Sequence, residues 1–204
     1  MKFNKKLLQG TLIKRYKRFF VDIKYKNKTI TAHCPNSGSM MGLLNKGNNV
    51  WFSESDNPKR KLKYTLEIVV VNNKPVGINT HLSNKIVLES LKNKKIENLT
   101  RFTNIKSEAK FSDNTRFDFL ISNNKEKCFL EVKNVTLLRQ NNIAEFPDAI
   151  TSRGTKHLKE LIKAKRKGYE SYMLYLIQRD DCKFFKIAND IDEEYKNTFD
   201  EALN

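Results

Sequence analysis

Long apolar runs are missing from this chain, and cysteine is scarce. No segment approaches the roughly 18 consecutive apolar residues of a transmembrane helix, so we expect no such helix and no membrane partner. The three cysteines, Cys34, Cys128 and Cys182, lie far apart and form no CxxC pair. Their spacing argues against a disulfide framework or a zinc cage and fits a reducing cytoplasm. No helix-turn-helix pattern is present either, so base-specific reading of DNA is not supported.

Positive charge is abundant and unevenly distributed. The 204 residues include 39 Lys and Arg against 23 Asp and Glu, a net charge of +16. Residues 1–77 hold 16 basic and 4 acidic residues, so +12 of this charge lies there and +4 lies in residues 78–204. A polyanion is the natural partner of such a region. The alternative is a Lys-rich surface that binds nothing.

Residues 1–77 predict a small β domain. Five segments rich in β-branched and aromatic residues are separated by turns that contain Asn, Gly or Pro. The segments are residues 12–16, 19–25, 29–32, 50–52 and 64–71. Five short strands without a helix suggest a small barrel of the oligonucleotide-binding (OB) type. The pattern supports β structure more strongly than it supports this particular barrel.

Two loops of this domain carry candidate phosphate contacts. In the first, residues 33–42, a mixture of Pro, Gly and hydroxyl residues such as Ser37 and Ser39 could turn backbone N–H groups toward an anion. The second loop is a turn that leads into three consecutive cations: Lys59, Arg60 and Lys61. These cations either hold phosphates or form a solvated charge run.

The most specific pattern is a predicted β-hairpin. Two alternating segments, residues 117–121 and 128–133, flank a polar turn. In the first, Asp118 is predicted to face away from three apolar side chains that share the other face: Phe117, Phe119 and Ile121. In the second, Glu131 and Lys133 share a face. A hairpin that is symmetric about residues 124 and 125 puts Asp118 directly across from Glu131.

Two carboxylates in this position repel each other, and a divalent cation would relieve the repulsion. Like charges whose Cβ atoms are roughly 5 Å apart destabilise a sheet, and Mg²⁺ prefers oxygen ligands. We therefore predict a Mg²⁺ or Mn²⁺ site at Asp118 and Glu131. Lys133 would orient or deprotonate a water or neutralise a phosphate. The alternative is a surface hairpin with a Glu131–Lys133 ion pair.

Helices are predicted on both sides of this hairpin. A helix from residue 80 or 83 to about 95 carries Glu89 on a stripe expected to be buried, so Glu89 completes the metal site if the helix packs over the sheet. The alternative is a position at the rim, where the Glu89 carboxylate reaches solvent. Further elements are a strand at 105–111, a helix through 157–164 that stops at Gly168, a strand at 172–177 and an acidic helical tail from 190. The order predicts a mixed sheet flanked by helices in residues 78–204.

Several motifs together resemble the sugar fermentation stimulation protein A (SfsA) family, and the hairpin resembles the PD-(D/E)XK nuclease fold. The matching stretches are residues 31–40, 55–61, 77–80, 116–120, 131–137, 146–149 and 153–158. They cover much of the chain and are specific in combination. One departure is that Phe117, and not Pro, precedes Asp118.

The resemblance implies an N-terminal OB-like domain and a C-terminal nuclease-like domain. It also implies DNA binding with little sequence preference and a regulatory link to sugar (maltose) metabolism in bacteria. Family members usually continue past this C-terminus into a final strand, so we expect that element to be missing or shortened here. The positions that match the superfamily's catalytic triad are Asp118, Glu131 and Lys133. Glu89 matches its helix glutamate. Arg153 and His157 fall where a polar helix residue lies near the site, and we predict that both contact DNA.

We therefore predict a cytoplasmic, two-domain DNA-binding protein with a magnesium-dependent nuclease-like site. One alternative is a non-enzymatic DNA-binding regulator that keeps the fold. Another is a protein that binds RNA or a small phosphorylated ligand. The choice between single- and double-stranded DNA stays open, and so does the oligomeric state, with a homodimer among the alternatives.

Overall fold

The computed structural model describes residues 2, 3 and 5–204 and forms two compact units. The first unit holds the described residues up to Leu82 together with 135–148 and 177–186. The second unit holds residues 83–134, 149–176 and 187–204. The predicted boundary between residues 77 and 78 stays a prediction. Two later segments that it assigned to the second domain pack with the first unit.

Six strands form the main sheet of the first unit, and five of them close a barrel. The strands are β1 (Leu8–Tyr16), β2 (Phe20–Tyr25), β3 (Lys28–His33), β4 (Asn49–Glu54), β5 (Tyr64–Val71) and β6 (Lys74–Gly77). Their order is β3-β2-β1-β4-β5-β6, and β3 also pairs in parallel with β5. This extra pairing closes β1 to β5 into an OB barrel, so the five predicted strands are confirmed. β6 is an element that the sequence pattern did not indicate.

Alternating side chains fill the barrel. Val21 and Ile23 of β2 and Val50 and Phe52 of β4 are fully buried, while their neighbours in each strand are more exposed. This is the period-2 pattern of a strand with one face in the core. At Gly10 of β1, an added Cβ atom would lie 2.5 Å from Cγ2 of Ile23. Glycine is therefore needed where β1 and β2 approach each other closely.

A second, three-stranded sheet of the first unit was not predicted. It consists of β10 (Leu137–Gln140), β11 (Asn142–Phe146) and β13 (Cys182–Ile187), in the order β10-β11-β13. β10 and β11 are joined by a tight turn in which Asn142 has a φ of 66°. β10 and β11 have only four and five residues, and exposed and less exposed side chains do not alternate along β13, so sequence periodicity does not reveal these strands.

The second unit is a four-stranded sheet with helices. Its strands are β7 (Asn104–Ser112), β8 (Thr115–Ser122), β9 (Lys127–Val135) and β12 (Glu170–Ile177), in the order β12-β9-β8-β7. Its helices are α1 (Ser83–Lys92), α2 (Ser152–Arg166) and α3 (Glu193–Leu203). These elements confirm the predicted order of helices and strands. Among the described residues, none of the helices is long and apolar enough to cross a membrane.

The two faces of this sheet bury different clusters, which corrects one prediction about β8. Phe119 and Ile121 pack in a cluster with Val87 of α1, whereas Phe117 packs in another cluster with Leu161 of α2. The prediction that Phe117 shares a face with Phe119 and Ile121 is therefore wrong. The regular alternation is interrupted opposite Asp118, where Glu108 of β7 has a left-handed backbone with φ of 52°.

Candidate metal centre and nucleic-acid interface

The candidate metal centre lies where β8 and β9 stop pairing. The ladder between them runs from Ser122–Lys127 to Phe119–Leu130. The next pair in this register is Asp118 and Glu131, so the predicted register of the hairpin is confirmed and the ladder ends one pair short of the carboxylates. Where the β8–β9 ladder has ended, the two strands can move apart, and side chains or an ion can lie between them.

Asp118 is held by two hydrogen bonds. Asn84 Nδ2 of α1 donates to Oδ1 at 2.7 Å, and the backbone N–H of Val132 donates to Oδ2 at 2.7 Å. Burial raises the pKa of Asp118, and the negative charge of Glu131 raises it further, although the two hydrogen bonds oppose the shift. The charged form of this carboxyl group is therefore costly unless a cation lies nearby.

Glu131 is almost completely buried, and its two oxygens have different surroundings. Lys133 Nζ donates to Oε1 at 2.7 Å, and Nδ1 of His157 in α2 contacts the same oxygen. Burial alone would raise the pKa of Glu131, but the His157 contact and the Lys133 charge outweigh it and lower the pKa. In the described part of the chain, Oε2 is buried and has no hydrogen-bond partner.

An unpartnered carboxylate oxygen in the interior calls for a compensating group. Buried polar atoms without a partner are rare and costly, and a divalent cation would satisfy Glu131 Oε2 and favour the charged form of Asp118. Residues 2, 3 and 5–204 contain no group of three or more His, Cys, Asp and Glu side chains arranged to hold a metal. Mg²⁺ often uses only one or two carboxylates together with waters and substrate phosphates, so Asp118 and Glu131 fit it.

The helix position near Asp118 is occupied by a different residue from the one predicted. Glu89 is exposed, so the expectation that it lies on a buried stripe of α1 is wrong, and its role as a ligand stays a prediction. Asn84 instead faces Asp118. The signal that could have identified it is its spacing, because Asn84 precedes the buried Val87 and Leu91 by three and seven residues.

α2 brings His157 into the site and leaves Arg153 at the surface. His157 is 7% exposed and contacts both Glu131 and Lys133, with 3.1 Å between its Nδ1 and Lys133 Nζ. Its predicted contact with DNA stays a prediction, and the geometry favours a role in positioning Glu131. Arg153 is exposed in the first turn of the helix, and its predicted contact with DNA stays a prediction.

The loop after β3 is held from two sides. The Arg15 guanidinium donates to the carbonyl oxygens of Asn36, Gly38 and Ser39. Three backbone N–H groups of the loop also have partners. Those of Gly38, Met40 and Met41 donate to side-chain oxygens of Asn36, Asp148 and Ser39, respectively. These three N–H groups therefore have partners within the chain, and phosphate contact by the loop stays a prediction.

The hydroxyl groups and cations predicted to contact DNA lie at the surface of the first unit. Ser37 and Ser39 are exposed, and the Ser39 hydroxyl donates to the Asp148 carbonyl oxygen at 2.6 Å. The three cations between β4 and β5 are also exposed: Lys59, Arg60 and Lys61. Arg60 Nη2 donates to Thr65 Oγ1 at 3.1 Å, and this hydrogen bond orients the Arg60 side chain. DNA contact by this set stays a prediction.

Two sequence profiles match this chain. The profile described as "SfsA N-terminal OB domain" matches residues 13–78, and the one described as "Sugar fermentation stimulation protein RE domain" matches residues 81–204. A protein named "Sugar fermentation stimulation protein homolog" from Pelagibacter ubique is 55% identical over 199 residues, which cover 98% of this chain and 86% of that protein. A protein of the same name from Bartonella henselae is 46% identical and covers 100% of this chain and 87% of its own length.

A solved structure has the same fold. It is that of Pyrococcus furiosus SfsA in complex with Ca²⁺, which superposes on this chain with a TM-score of 0.90 at 25% sequence identity. The superposition covers 100% of this chain and 86% of that protein. Both sequence and structure therefore relate the whole length of this chain to the same group of proteins.

Proposed function

This chain belongs to the sugar fermentation stimulation protein family, and we propose that it binds DNA and hydrolyses phosphodiesters at a divalent-metal site. The basic first unit supplies most of the DNA affinity, and the second unit carries the site at Asp118 and Glu131. The family's name supports a link to sugar fermentation, and we propose that this chain takes part in the regulation of sugar (maltose) metabolism. The Ca²⁺ in the P. furiosus relative supports a divalent cation, and we propose Mg²⁺ or Mn²⁺ for this chain.

The observation that carries the proposal is the buried Oε2 atom of Glu131, which has no partner among the described residues. A buried carboxylate oxygen that only filled a structural role would be satisfied by a donor, as Glu131 Oε1 is by Lys133. Asp118, the next residue across the hairpin, has a pKa raised by burial and by the Glu131 charge. Both features support a cation held by these two carboxylates.

Each neighbouring side chain has a role in this proposal. When bound, a divalent cation polarises a phosphoryl oxygen and lowers the pKa of a coordinated water. Asn84 and the Val132 N–H fix the Asp118 carboxylate, and His157 fixes Glu131 so that Oε2 is the oxygen left free. Lys133 supplies a positive charge that would stabilise the negative charge of the phosphate as it reacts.

Cation binding is tested first, without any cleavage. We expect Tb³⁺ luminescence or Mn²⁺ calorimetry to show one site in the wild-type protein, and Asp118→Asn and Glu131→Gln to weaken it at least about tenfold, as loss of one charged ligand does. Glu97→Gln is the matched control, because it removes an exposed carboxylate of the same unit that lies outside the predicted site. Equal affinities of the Asp118→Asn and Glu97→Gln variants would overturn the proposed site.

Hydrolysis is tested next. We expect plasmid and single-stranded DNA to be cut in the presence of Mg²⁺ or Mn²⁺, and Asp118→Ala and Lys133→Ala to lower the rate at least about a hundredfold, the scale of a general acid–base or electrostatic contribution. Cutting by Asp118→Ala at the wild-type rate would mean that a contaminant is responsible.

One observation favours a second candidate, a non-enzymatic DNA-binding regulator. α1 presents the neutral Asn84, and not an acidic side chain, to Asp118. Lys133 is engaged with both Glu131 and His157. A site with two carboxylates and a paired lysine could retain a cation for stability alone. Tight DNA and cation binding without cleavage of either DNA form would support this candidate over the nuclease.

A further inference from the structure

Three aromatic rings form a series on the first unit, which the proposed metal site does not use. Phe19 stacks on His33 with ring centroids 6.2 Å apart and planes 29° apart. His33 in turn lies 6.4 Å from His81, with planes tilted by 43°. Phe19 is 42% exposed, His81 is exposed and His33 is half-buried. Single exposed apolar side chains are common on protein surfaces, so the feature that matters is the series of three neighbouring rings and not the exposure of Phe19 alone.

The backbone keeps these rings in place. Phe19 follows the tight β1–β2 turn, in which Lys17 and Arg18 have left-handed backbones with φ of 45° and 63°. The Cys34 N–H donates to the Phe19 carbonyl oxygen at 2.8 Å, which joins the turn to the end of β3 beside His33. His81 is attached to the same region because the N–H and hydroxyl of Thr80 both donate to the Pro35 carbonyl oxygen.

Cations flank the rings without covering them. Lys17 and Arg18 are exposed beside Phe19, and Arg60 is near enough to His33 to affect it electrostatically. Burial lowers the pKa of His33, and the charges of Arg60 and His81 lower it further, so the His33 ring is neutral at pH 7. Positive groups that track a phosphate backbone beside aromatic faces are the usual components of a single-strand binding surface.

We propose that Phe19, His33 and His81 form a stacking surface for unpaired bases, so that the first unit prefers single-stranded DNA to duplex. This inference rests on the proposed DNA binding and deepens it by naming the form of the ligand. Bases in a duplex are stacked on each other and cannot present a face to these rings. A single strand can place successive bases on them, while its phosphates meet Lys17, Arg18 and Arg60.

The test separates base contacts from phosphate contacts. Fluorescence anisotropy is measured for oligothymidine, for an abasic strand with the same number of phosphates, and for a duplex with the same total number of phosphates. Loss of a stacking ring costs about fivefold or more in affinity, so we expect Phe19→Ala to lose at least that on oligothymidine and nothing on the abasic strand. Phe184→Ala is the matched control, because Phe184 of β13 is a more exposed phenylalanine of the same unit, at 67%. Thermal melts verify that both variants fold.

Each result decides the inference. Wild-type preference for oligothymidine over the abasic strand and the duplex, lost in Phe19→Ala and kept in Phe184→Ala, supports the stacking surface. Equal binding of oligothymidine and the abasic strand overturns it and leaves the proposed DNA binding intact. No binding of any strand overturns both. Tighter binding of oligouridine than of oligothymidine would identify RNA as the ligand and overturn the assignment to DNA.

Discussion

At the scale of single residues, the environment of Glu131 depends on one imidazole. His157 and Lys133 both act on Oε1, and the buried Oε2 has no partner among the described residues. This asymmetry leaves Oε2 as the oxygen available to the proposed cation. If His157 were absent, Lys133 would be free to interact with either oxygen, and Glu131 would lose its fixed orientation.

His157→Ala is expected to destabilise the protein and weaken cation binding. A hydrogen bond to a buried charged group contributes about 1.5–3 kcal/mol, so the free energy of unfolding, measured by urea denaturation, should fall by about that amount. Lys156→Ala is the control, because Lys156 is exposed on the same helix and should change stability by less than about 0.5 kcal/mol. Equal stabilities of the two variants would contradict a positioning role for His157.

Glu145 in β11 is another buried carboxylate, and cations compensate its charge. Arg139 donates to both carboxylate oxygens at 2.8 Å, and Lys186 Nζ lies 3.3 Å from Oε1. The Arg139 hydrogen bonds lower the pKa of Glu145 and outweigh burial, which raises it. A carboxyl group whose pKa is lowered by folding stabilises the protein above its unfolded pKa, and this contribution is lost as the pH falls through the folded pKa.

Glu145→Gln should therefore be less stable than wild type by about 1.5–3 kcal/mol at neutral pH. The difference should be constant above the unfolded pKa of about 4.3 and should shrink below it. Urea denaturation over a pH series measures this difference. Glu54→Gln, which removes a partly exposed carboxylate, should show little change. A difference for Glu145→Gln that grows toward acidic pH would have the wrong sign.

Some site residues could be predicted from the sequence, and others could not. The pairing of Asp118 with Glu131 could be predicted because the register across a symmetric turn determines which residues lie opposite each other. The burial of Glu89 was predicted wrongly, since Glu89 is exposed and Asn84 contacts Asp118. A ten-residue helix with apolar side chains on two stripes does not show by itself which stripe faces the sheet. Only packing of the Val87 stripe on the sheet brings Asn84 to Asp118.

At the scale of elements, α2 depends on the way its first turn is capped. The Thr151 side chain accepts a hydrogen bond from the Gly154 N–H at 3.1 Å, and the Thr151 N–H donates to Asp192 at 2.7 Å. Asp192 in turn caps α3 by accepting from the Tyr195 N–H. The two helix starts are thereby joined, and α2 presents His157 in its second turn.

Thr151→Ala should lower the free energy of unfolding by about 1 kcal/mol, because the cap of α2 loses its acceptor. Thr151→Ser keeps the hydroxyl group and should retain most of the stability. Thermal and urea denaturation of the two variants measure the effect. A Thr151→Ser variant as unstable as Thr151→Ala would attribute the loss to the methyl group that packs near Gly154, and not to the cap.

Elements could be predicted where apolar and polar residues alternate clearly. They could not be predicted where strand pairing depends on residues far apart in the sequence. The barrel strands β1 to β5 have alternating faces and clear turn residues, and they were predicted. β10, β11 and β13 are short, and they form one sheet only because residues 135–148 and 177–186 come together. Local sequence patterns do not show which distant segments pair, so the prediction from sequence assigned both segments to the second domain.

At the scale of the whole molecule, net charge is the property most directly tied to the proposed function. Of the net +16, +12 lies in residues 1–77, which form most of the first unit. Proteins that bind DNA through phosphate contacts release counterions, so affinity falls with salt by roughly 0.9 log units per contact for each tenfold rise in salt. The slope of this dependence therefore counts the phosphate contacts.

Replacing Lys59, Arg60 and Lys61 by Gln should weaken DNA binding and also flatten its salt dependence. If each cation contacts a phosphate, the slope of log affinity against log salt should fall by roughly 2.7 on duplex DNA or roughly 2.1 on a single strand, measured by anisotropy between about 50 and about 200 mM KCl. The matched control replaces Lys92, Lys94 and Lys95, three exposed cations in and just after α1 of the less basic unit. An equal change in slope for both triple variants would show that charge acts non-specifically over the whole surface. A change confined to the first triple variant would identify the β4–β5 loop as a phosphate-binding element.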